Sequence, residues 1–409
     1  MNYVVLGASA AGINAIKVLR ELDEKANITL ISKDEHIYSR CMLHHIISEH
    51  RTLDSLNFVE TKFDEKYNIS WKKSCTVNNI DIENKEVSIL ETGEKVKYDK
   101  LLIATGASSA MPPIKNLKKA KHVYGLRNIE DAYEIKEKAK DCKKIAILGA
   151  GLVGIDALIG LLEYKNLDIS VIYREPFILN RQLDEYSASV YENKFKELGV
   201  KFFKGASVNE ICIDNNENII GVVLDDENYI ECDMAIVATG VIPNAEFINK
   251  EFINYDRGII IDDNCKTTVK DIFAAGDVVG KNAIWPLAVK QGIIAAYNMA
   301  GREEKIDDSF VYRNTMNFLG IPTVSLGIVD MEEDCIVNVR KDETGYKKFI
   351  IKDNVIKGVI VQGDISYVGA LTHLIKNNIE IPDLEKRIFE IGYADFFSVK
   401  GNGEFCYNI

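Results

Sequence analysis

Two glycine-rich stretches carry the first chemical message of this chain. They are Gly7-Ala8-Ser9-Ala10-Ala11-Gly12 and Gly149-Ala150-Gly151-Leu152-Val153-Gly154, whose first glycines lie 142 residues apart. A glycine turn between a strand and a helix sets backbone N–H groups and the positive helix end against a pyrophosphate. The first glycine permits the tight turn, the second admits the phosphate, and the third lets helix and strand pack closely. The second stretch fits Gly-x-Gly-x-x-Gly in full, while the first has Ser9 at its middle position. A single such motif can also be a plain tight turn. Two of them, each set in a strand–turn–helix–strand pattern, point to two dinucleotide sites.

The elements that must position these turns are legible. Residues 3–6 and 27–32 are apolar runs that flank a helical pattern with Ala15, Ile16, Leu19 and Leu22 on one face. Residues 144–148, a helical stretch over 155–164 and residues 168–173 repeat that βαβ plan. Two later segments also echo each other. Residues 98–106 end in Ala104-Thr105-Gly106, and residues 232–240 end in Ala238-Thr239-Gly240. Residues 260–277 close on Gly276-Asp277. The tail from about 309 shows short β-like runs (VSLGIV, DCIVNV, KKFIIK, VIKGVIVQG) followed by a helix, which predicts a separate α+β domain.

Composition narrows the function classes. The chain has 409 residues, 47% of them hydrophobic and 27% charged, as in ordinary folded proteins. A net charge of −12 disfavours nucleic acid and anionic membranes as main partners. No run of apolar residues is long enough to span a bilayer. The opening MNYVVLGASAAG lacks a basic, signal-like start, so the expectation is a cytoplasmic protein with reduced thiols. Its eight cysteines are scattered without any Cys-x-x-Cys pair. No metal site is therefore expected.

The segments GASAAG (7–12), YDKLLIATGA (98–107), GAGLVGID (149–156), DMAIVATGVIPN (233–244) and TTVKDIFAAGDV (267–278) together resemble the FAD- and NAD(P)-dependent pyridine nucleotide–disulfide oxidoreductases. Within that family, Tyr38-Ser39-Arg40 and Leu179-x-Arg181-Gln182-Leu183-Asp184 look most like NADH:rubredoxin oxidoreductases and the FAD part of assimilatory nitrite reductases. The resemblance implies an α/β fold with two Rossmann-like domains and a C-terminal α+β domain. Residues 1–111 and 240–308 would hold FAD, residues 112–239 would hold NAD(P)H, and residues 309–409 would cap or dimerise the molecule.

Site residues follow from the same resemblance. Gly7, Ser9, Ala10, Ala11, Gly12, Arg40, Ala104, Thr105, Gly106, Gly276, Asp277 and Gln291 would serve FAD. Gly149, Gly151, Leu152, Val153, Gly154 and Gly240 would serve the nicotinamide cofactor. Trp285-Pro286 would begin a helix whose positive end faces the flavin pyrimidine. The carboxylate that grips an adenosine ribose is displaced or absent in the first unit and missing from its place in the second. Ser32 stands in its place in the first, with Asp34 just beyond. Tyr173 stands in its place in the second, followed by Arg174 and Glu175. Arg174 favours a 2′-phosphate and hence NADPH, while Glu175 would restore NADH use.

The electron acceptor is open between readings. Hydride passes from NAD(P)H to flavin N5 and electrons then go to a redox protein such as rubredoxin, or to a partner subunit. Alternatively Cys41, whose position matches the single active cysteine of coenzyme A disulfide reductases and NADH oxidases and peroxidases, relays them to a small disulfide, polysulfide or peroxide. On that reading a helix N-terminus and Arg40 would favour its thiolate. His44 and Asp156 would correspond to the lysine–acid pair beside flavin N5 in disulfide reductases. A third reading is an FAD/NAD-binding sensor with little turnover. A homodimer is compatible with all three. The other seven cysteines are expected to be structural, and Trp71 and Trp285 to be packing residues.

Overall fold

The computed structural model describes residues 1–280, 283–306, 313–330, 333–381, 384–391 and 397–407. The expected start of the C-terminal domain at 309 lies outside them. Strand Asn2–Leu6 is the centre of a five-stranded parallel sheet. Asn27–Ile31 and then Ser70–Lys72 lie on one side of it, and Lys100–Ile103 and then Ile272–Ala274 on the other. Strands of this kind are buried on both faces, which explains their unbroken apolar runs. Helices Ala10–Leu22 and Trp285–Met299 cover one face around Ile13, Ile16, Leu19 and Ile294. Ile80, Val87 and Ile89 of a small antiparallel sheet help to close the other.

A second parallel sheet repeats the arrangement. Lys144–Leu148 is flanked by Asp168–Tyr173 and by Met234–Val237, with Lys201–Lys204 and Val123–Tyr124 at the edges. In both sheets the strand before the glycine turn is a direct neighbour of the strand that runs into Ala-Thr-Gly. The two echoes in the sequence are therefore one topology used twice. Chain passes between the sheets through a short antiparallel ribbon, Ala107–Ser109 against Val241–Pro243. Asn244 locks this ribbon to the first Ala-Thr-Gly turn: its Nδ2 donates to Thr105 O at 3.1 Å, and its carbonyl accepts from Thr105 Oγ1 at 2.6 Å.

The tail forms a five-stranded antiparallel sheet from Arg313–Phe318, Ile321–Gly327, Val355–Gly363, Gly345–Lys352 and Ile336–Asp342 in spatial order. Helix Val368–Lys376 packs on one face of it. The other face meets helix Glu185–Glu197 of the second unit, where Tyr191 Oη lies 2.6 Å from both Ile321 O and Thr323 Oγ1, in hydrogen-bond contact with each. The Leu-x-Arg-Gln-Leu-Asp segment ends on Asp184, which caps that helix by accepting from Ser187 N at 3.0 Å. No helix among the described residues is long and apolar enough to cross a membrane.

Candidate active site

The first glycine turn is closed by the chain's own atoms. Gly7 has φ +109°, and a Cβ there would lie 2.2 Å from Ala104 O. A Cβ at Gly12 would lie 2.1 Å from Gly7 O. The second turn matches it: Gly149 has φ +108° with Ala238 O at 2.4 Å, and Gly154 meets Gly149 O at 2.1 Å. The middle positions behave differently. A Cβ at Gly151 would meet nothing within 4 Å, and Ser9 lines an open cleft. In each turn the middle residue is the one left facing a ligand, as a pyrophosphate site requires.

Helices Ala10–Leu22 and Leu152–Leu161 begin with no side-chain cap and no acidic residue in the first turn. Their leading N–H groups and positive ends are left for an anion. The cleft at the first turn has a volume of about 460 Å³. It runs from residues 75–78 past the turn to Ala104, Thr105, Gly106, Gly276, Asp277 and Trp285, with Asp34, Arg40 and Cys41 on its wall. A cleft of this volume lined by the first glycine turn, with an uncapped helix N-terminus at that turn, fits FAD. The second turn lies at the corresponding end of the other sheet, with Gly240 exposed beside it at φ +124°.

Several residues act otherwise than the sequence suggests. Gln291 is buried away from the cleft, and its Oε1 accepts from Gly276 N at 2.8 Å. It holds the Gly276-Asp277 turn in place. Tyr173 is buried in the core and its hydroxyl donates to Glu192 Oε2 at 3.1 Å, so its side chain is committed to packing. Arg174 and Glu175 are the exposed groups beyond that strand. Ser32 is buried and accepts from Trp71 Nε1 at 2.8 Å. Asp34 reaches the cleft, but both its oxygens are engaged, by Arg40 Nη2 at 2.5 Å and by Tyr38 Oη at 2.9 Å. Trp285 stacks edge-on against Phe58 and also lines the cleft. Cys75 lines it too, so one of the seven cysteines expected to be structural faces the site.

Arg127 is a site residue that sequence reasoning missed. Its Nη2 lies 2.5 Å from Asp277 Oδ2, and its Nε donates to Ala107 O at 2.9 Å. It comes from the second unit, just ahead of helix Ile129–Ala139. Arg40 ties into the same place, donating to Arg127 O at 2.9 Å and to Asn128 Oδ1 at 2.6 Å. No spacing rule links Arg127 to an aspartate 150 residues away.

Cys41 sits in a short 3₁₀ turn, Arg40–Met42, and opens onto the cleft. The surroundings expected to activate it are absent. The helix that follows, His44–Ile47, has four residues, and the Arg40 guanidinium is turned to Asp34 and Asn128. Burial, reinforced by Asp156, pushes the Cys41 thiol up to about 11; Arg127 opposes this and Asp277 adds to it.

His44 and Asp156 do come together, with His44 Nδ1 3.7 Å from Asp156 Oδ1. Gly160 permits this approach, because a Cβ there would lie 2.8 Å from His44 O. Burial pushes Asp156 up to about 8, and burial with the nearby His45, Arg51 and His50 pushes His44 down to about 4. Near neutral pH a neutral imidazole therefore faces a largely protonated carboxyl, and His44 Nδ1 has no hydrogen-bond partner. No cluster of metal ligands occurs among the described residues.

The sequence pattern described as "Pyridine nucleotide-disulphide oxidoreductase" matches residues 1–292. The chain belongs to this family. Its cofactors are FAD and NAD(P)H, and it is an oxidoreductase. A second pattern, "Rubredoxin NAD+ reductase C-terminal domain", matches residues 313–379. The chain is 30% identical to the NADH-rubredoxin oxidoreductase of Clostridium acetobutylicum, covering 89% of this chain and 91% of that one. It is 27% identical to the epsilon subunit of the NADH-dependent phenylglyoxylate dehydrogenase of Aromatoleum evansii, covering 94% of each. A Bacillus subtilis nitrite reductase is 29% identical over 94% of this chain, which spans about half (48%) of that protein. The crystal structure of the Clostridium acetobutylicum NADH:rubredoxin oxidoreductase superimposes with a TM-score of 0.77 at 28% identity, covering 95% of this chain and 99% of that one.

Proposed function

We propose that the protein carries electrons from NAD(P)H, by way of FAD, to a small redox protein of the rubredoxin kind. The bound flavin would supply hydride acceptance and electron delivery. The chain's own residues bind and orient. The N–H groups behind Gly7 and Gly149 hold the two pyrophosphates. Arg127 and Gln291 hold Asp277 and Gly276 in place. The rubredoxin-reductase type of the tail supports a protein acceptor.

The observation that carries this reading is the tail, whose residues 313–379 match the rubredoxin reductase C-terminal domain; the state of Cys41 agrees with it. A thiol held near 11 is a poor nucleophile and a poor donor to the flavin. The test is an anaerobic titration of the FAD-loaded protein with NADH, and again with NADPH, comparing wild type with Cys41→Ser. Both proteins are expected to take up one hydride equivalent per FAD, and both to reduce added rubredoxin at similar rates.

A second reading rests on one specific placement. Cys41 opens onto the cleft, and Asp156 and His44 lie beside it as groups able to exchange a proton. It would make Cys41 a relay to a small disulfide or peroxide. Uptake beyond one equivalent in the wild type, with a long-wavelength thiolate–flavin band missing from Cys41→Ser, would select this reading over the first.

A further inference from the structure

Away from the cleft, the C-terminal sheet holds a buried cation whose one described contact is an aromatic ring, Tyr367. Lys347 lies in strand Gly345–Lys352 and is only 9% exposed. Lysine is almost never buried to that degree without a paired charge. Among the described residues no carboxylate lies within ion-pair distance of its ammonium, and no hydrogen bond satisfies it. The residue directly across the antiparallel ladder is Arg340, a second cation. Like charges placed opposite each other on a sheet destabilise it.

Two further polar groups in the same place lack a hydrogen bond. The hydroxyl of Tyr367 is buried with no hydrogen bond, and so is Arg340 Nε. That nitrogen is ion-paired with Asp342 Oδ2 at 3.0 Å, but without hydrogen-bond geometry. The groups converge: Lys347 Nζ sits 4.6 Å from the centre of the Tyr367 ring, and the Arg340 guanidinium lies 5.1 Å from the ring of Phe389. Tyr367 immediately precedes helix Val368–Lys376, whose first turn holds no acidic residue. Arg340 is the half-exposed member and leaves the group open to solvent. The nearby acids, Asp364 and Asp342, act on Lys347 through charge but make no contact with its ammonium. Asp364 Oδ1 accepts from Ser366 N at 3.0 Å, and Asp342 Oδ1 accepts from Thr344 N at 2.9 Å. Burial first, then Arg340, holds the Lys347 ammonium below its usual range, against the pull of both aspartates.

We propose that Lys347, Arg340, the Tyr367 hydroxyl and the start of helix Val368–Lys376 form a binding site for a phosphate-type oxyanion. Such an anion would be the missing partner of the Lys347 ammonium and the Tyr367 hydroxyl, with Arg340, already ion-paired with Asp342, adding positive charge at the rim. The site is separate from both dinucleotide turns. It lies on the helix-covered face of the C-terminal sheet, opposite the face that meets helix Glu185–Glu197.

The test uses the FAD-loaded full chain with saturating NAD+, so that both pyrophosphate sites are filled. Inorganic phosphate is titrated by isothermal calorimetry against chloride at matched ionic strength. A phosphate monoester, glycerol 3-phosphate, is titrated in parallel. Saturable binding is expected in the wild type, weakened at least tenfold in Lys347→Met and severalfold in Tyr367→Phe, and retained in Lys347→Arg. NADH-to-flavin electron transfer should be unchanged in all of them. Tighter binding of the monoester would make the phosphate group of an organic molecule the natural ligand. Preference for inorganic phosphate would make it the free ion. Absence of saturable binding of either, or binding equally strong in Lys347→Met and Tyr367→Phe, overturns the proposal. Tyr367→Phe removes one oxygen and no packing, so it keeps the test decisive even if Lys347→Met folds poorly.

Discussion

A methyl group added at Gly7 would be forced onto Ala104 O, on a backbone whose φ of +109° already disfavours a side chain. One added at Gly151 would enter open space, on a residue at φ −78° that any amino acid adopts. The same glycine motif therefore contains two kinds of glycine. Gly7→Ala should cost about 3 kcal/mol or more, through strain and a main-chain clash. Gly151→Ala should change stability by less than about 1 kcal/mol but raise the KM for NADH severalfold. Denaturant unfolding and steady-state kinetics on the two variants read the difference; a Gly151→Ala protein with normal KM would remove that turn from the cofactor site. Asp156 supplies a second prediction. Its folded-state value near 8 lies above an ordinary carboxylate near 4, so the folded form keeps a proton that the unfolded chain has lost. Stability therefore falls as pH rises from about 4 to about 8. Asp156→Asn should match the wild type near pH 4 and exceed it by roughly 5 kcal/mol near pH 8.5. Urea midpoints at the two pH values check this, and a gap that ignores pH would sink it.

Helices Ala10–Leu22 and Trp285–Met299 cross so tightly that a Cβ at Gly292 would lie 2.2 Å from Ala11 O. That contact sets Gln291, one residue earlier, against Gly276 N. Gln291→Leu should leave the Gly276 N–H buried without a partner, at about 1–3 kcal/mol, and lower flavin retention through gel filtration. Gln291→Glu keeps an acceptor oxygen and should retain flavin better than the leucine variant. Equal losses in both would mean that side-chain shape, not the hydrogen bond, holds the turn. This scale also marks what could be read in advance. The glycine turns, their flanking strands and the two Ala-Thr-Gly ends follow from local rules, because hydrophobic period and turn chemistry act over a few residues. The tasks of Gln291, Tyr173 and Arg127 do not. Tyr173 ends a strand buried on both faces, so alternation cannot say which way its ring points. Arg127 gains its meaning only from Asp277, which the fold brings to it from another sheet. The state of Cys41 belongs with these, because Arg40 next to it in sequence spends its charge on Asp34 instead.

At the scale of the whole molecule, the tail is held to the second unit by a buried polar seam. Asp184 stands at its centre: it caps helix Glu185–Glu197, accepts from the Tyr346 hydroxyl, and lies 3.5 Å from Lys348 Nζ. Gln362 Nε2 donates to Ser187 O at 3.1 Å a turn further on. The short β-like runs in the tail foretold a sheet, yet nothing in them foretold that alternate residues of one strand, Tyr346 and Lys348, would reach back to the aspartate of Leu-x-Arg-Gln-Leu-Asp. Burial alone would raise the Asp184 carboxyl, but bonds from Ser187 and Tyr346 together with the Lys348 charge outweigh it and hold it below the usual range. A depressed folded-state value contributes stability that is complete above the unfolded carboxylate range near 4 and is lost as pH falls through the folded value. Tyr346→Phe removes one of the bonds behind that depression. It should cost about 1–2 kcal/mol at pH 7, as for a hydrogen bond to a charged group. The cost should shrink as pH falls below 4, because a protonated Asp184 has no charge left for the hydroxyl to stabilise. Unfolding free energies of wild type and Tyr346→Phe at pH 7 and pH 3 decide this. A cost that stays constant across that range would mean that the Tyr346 ring, packed against Tyr186, supports the seam and its hydroxyl does not.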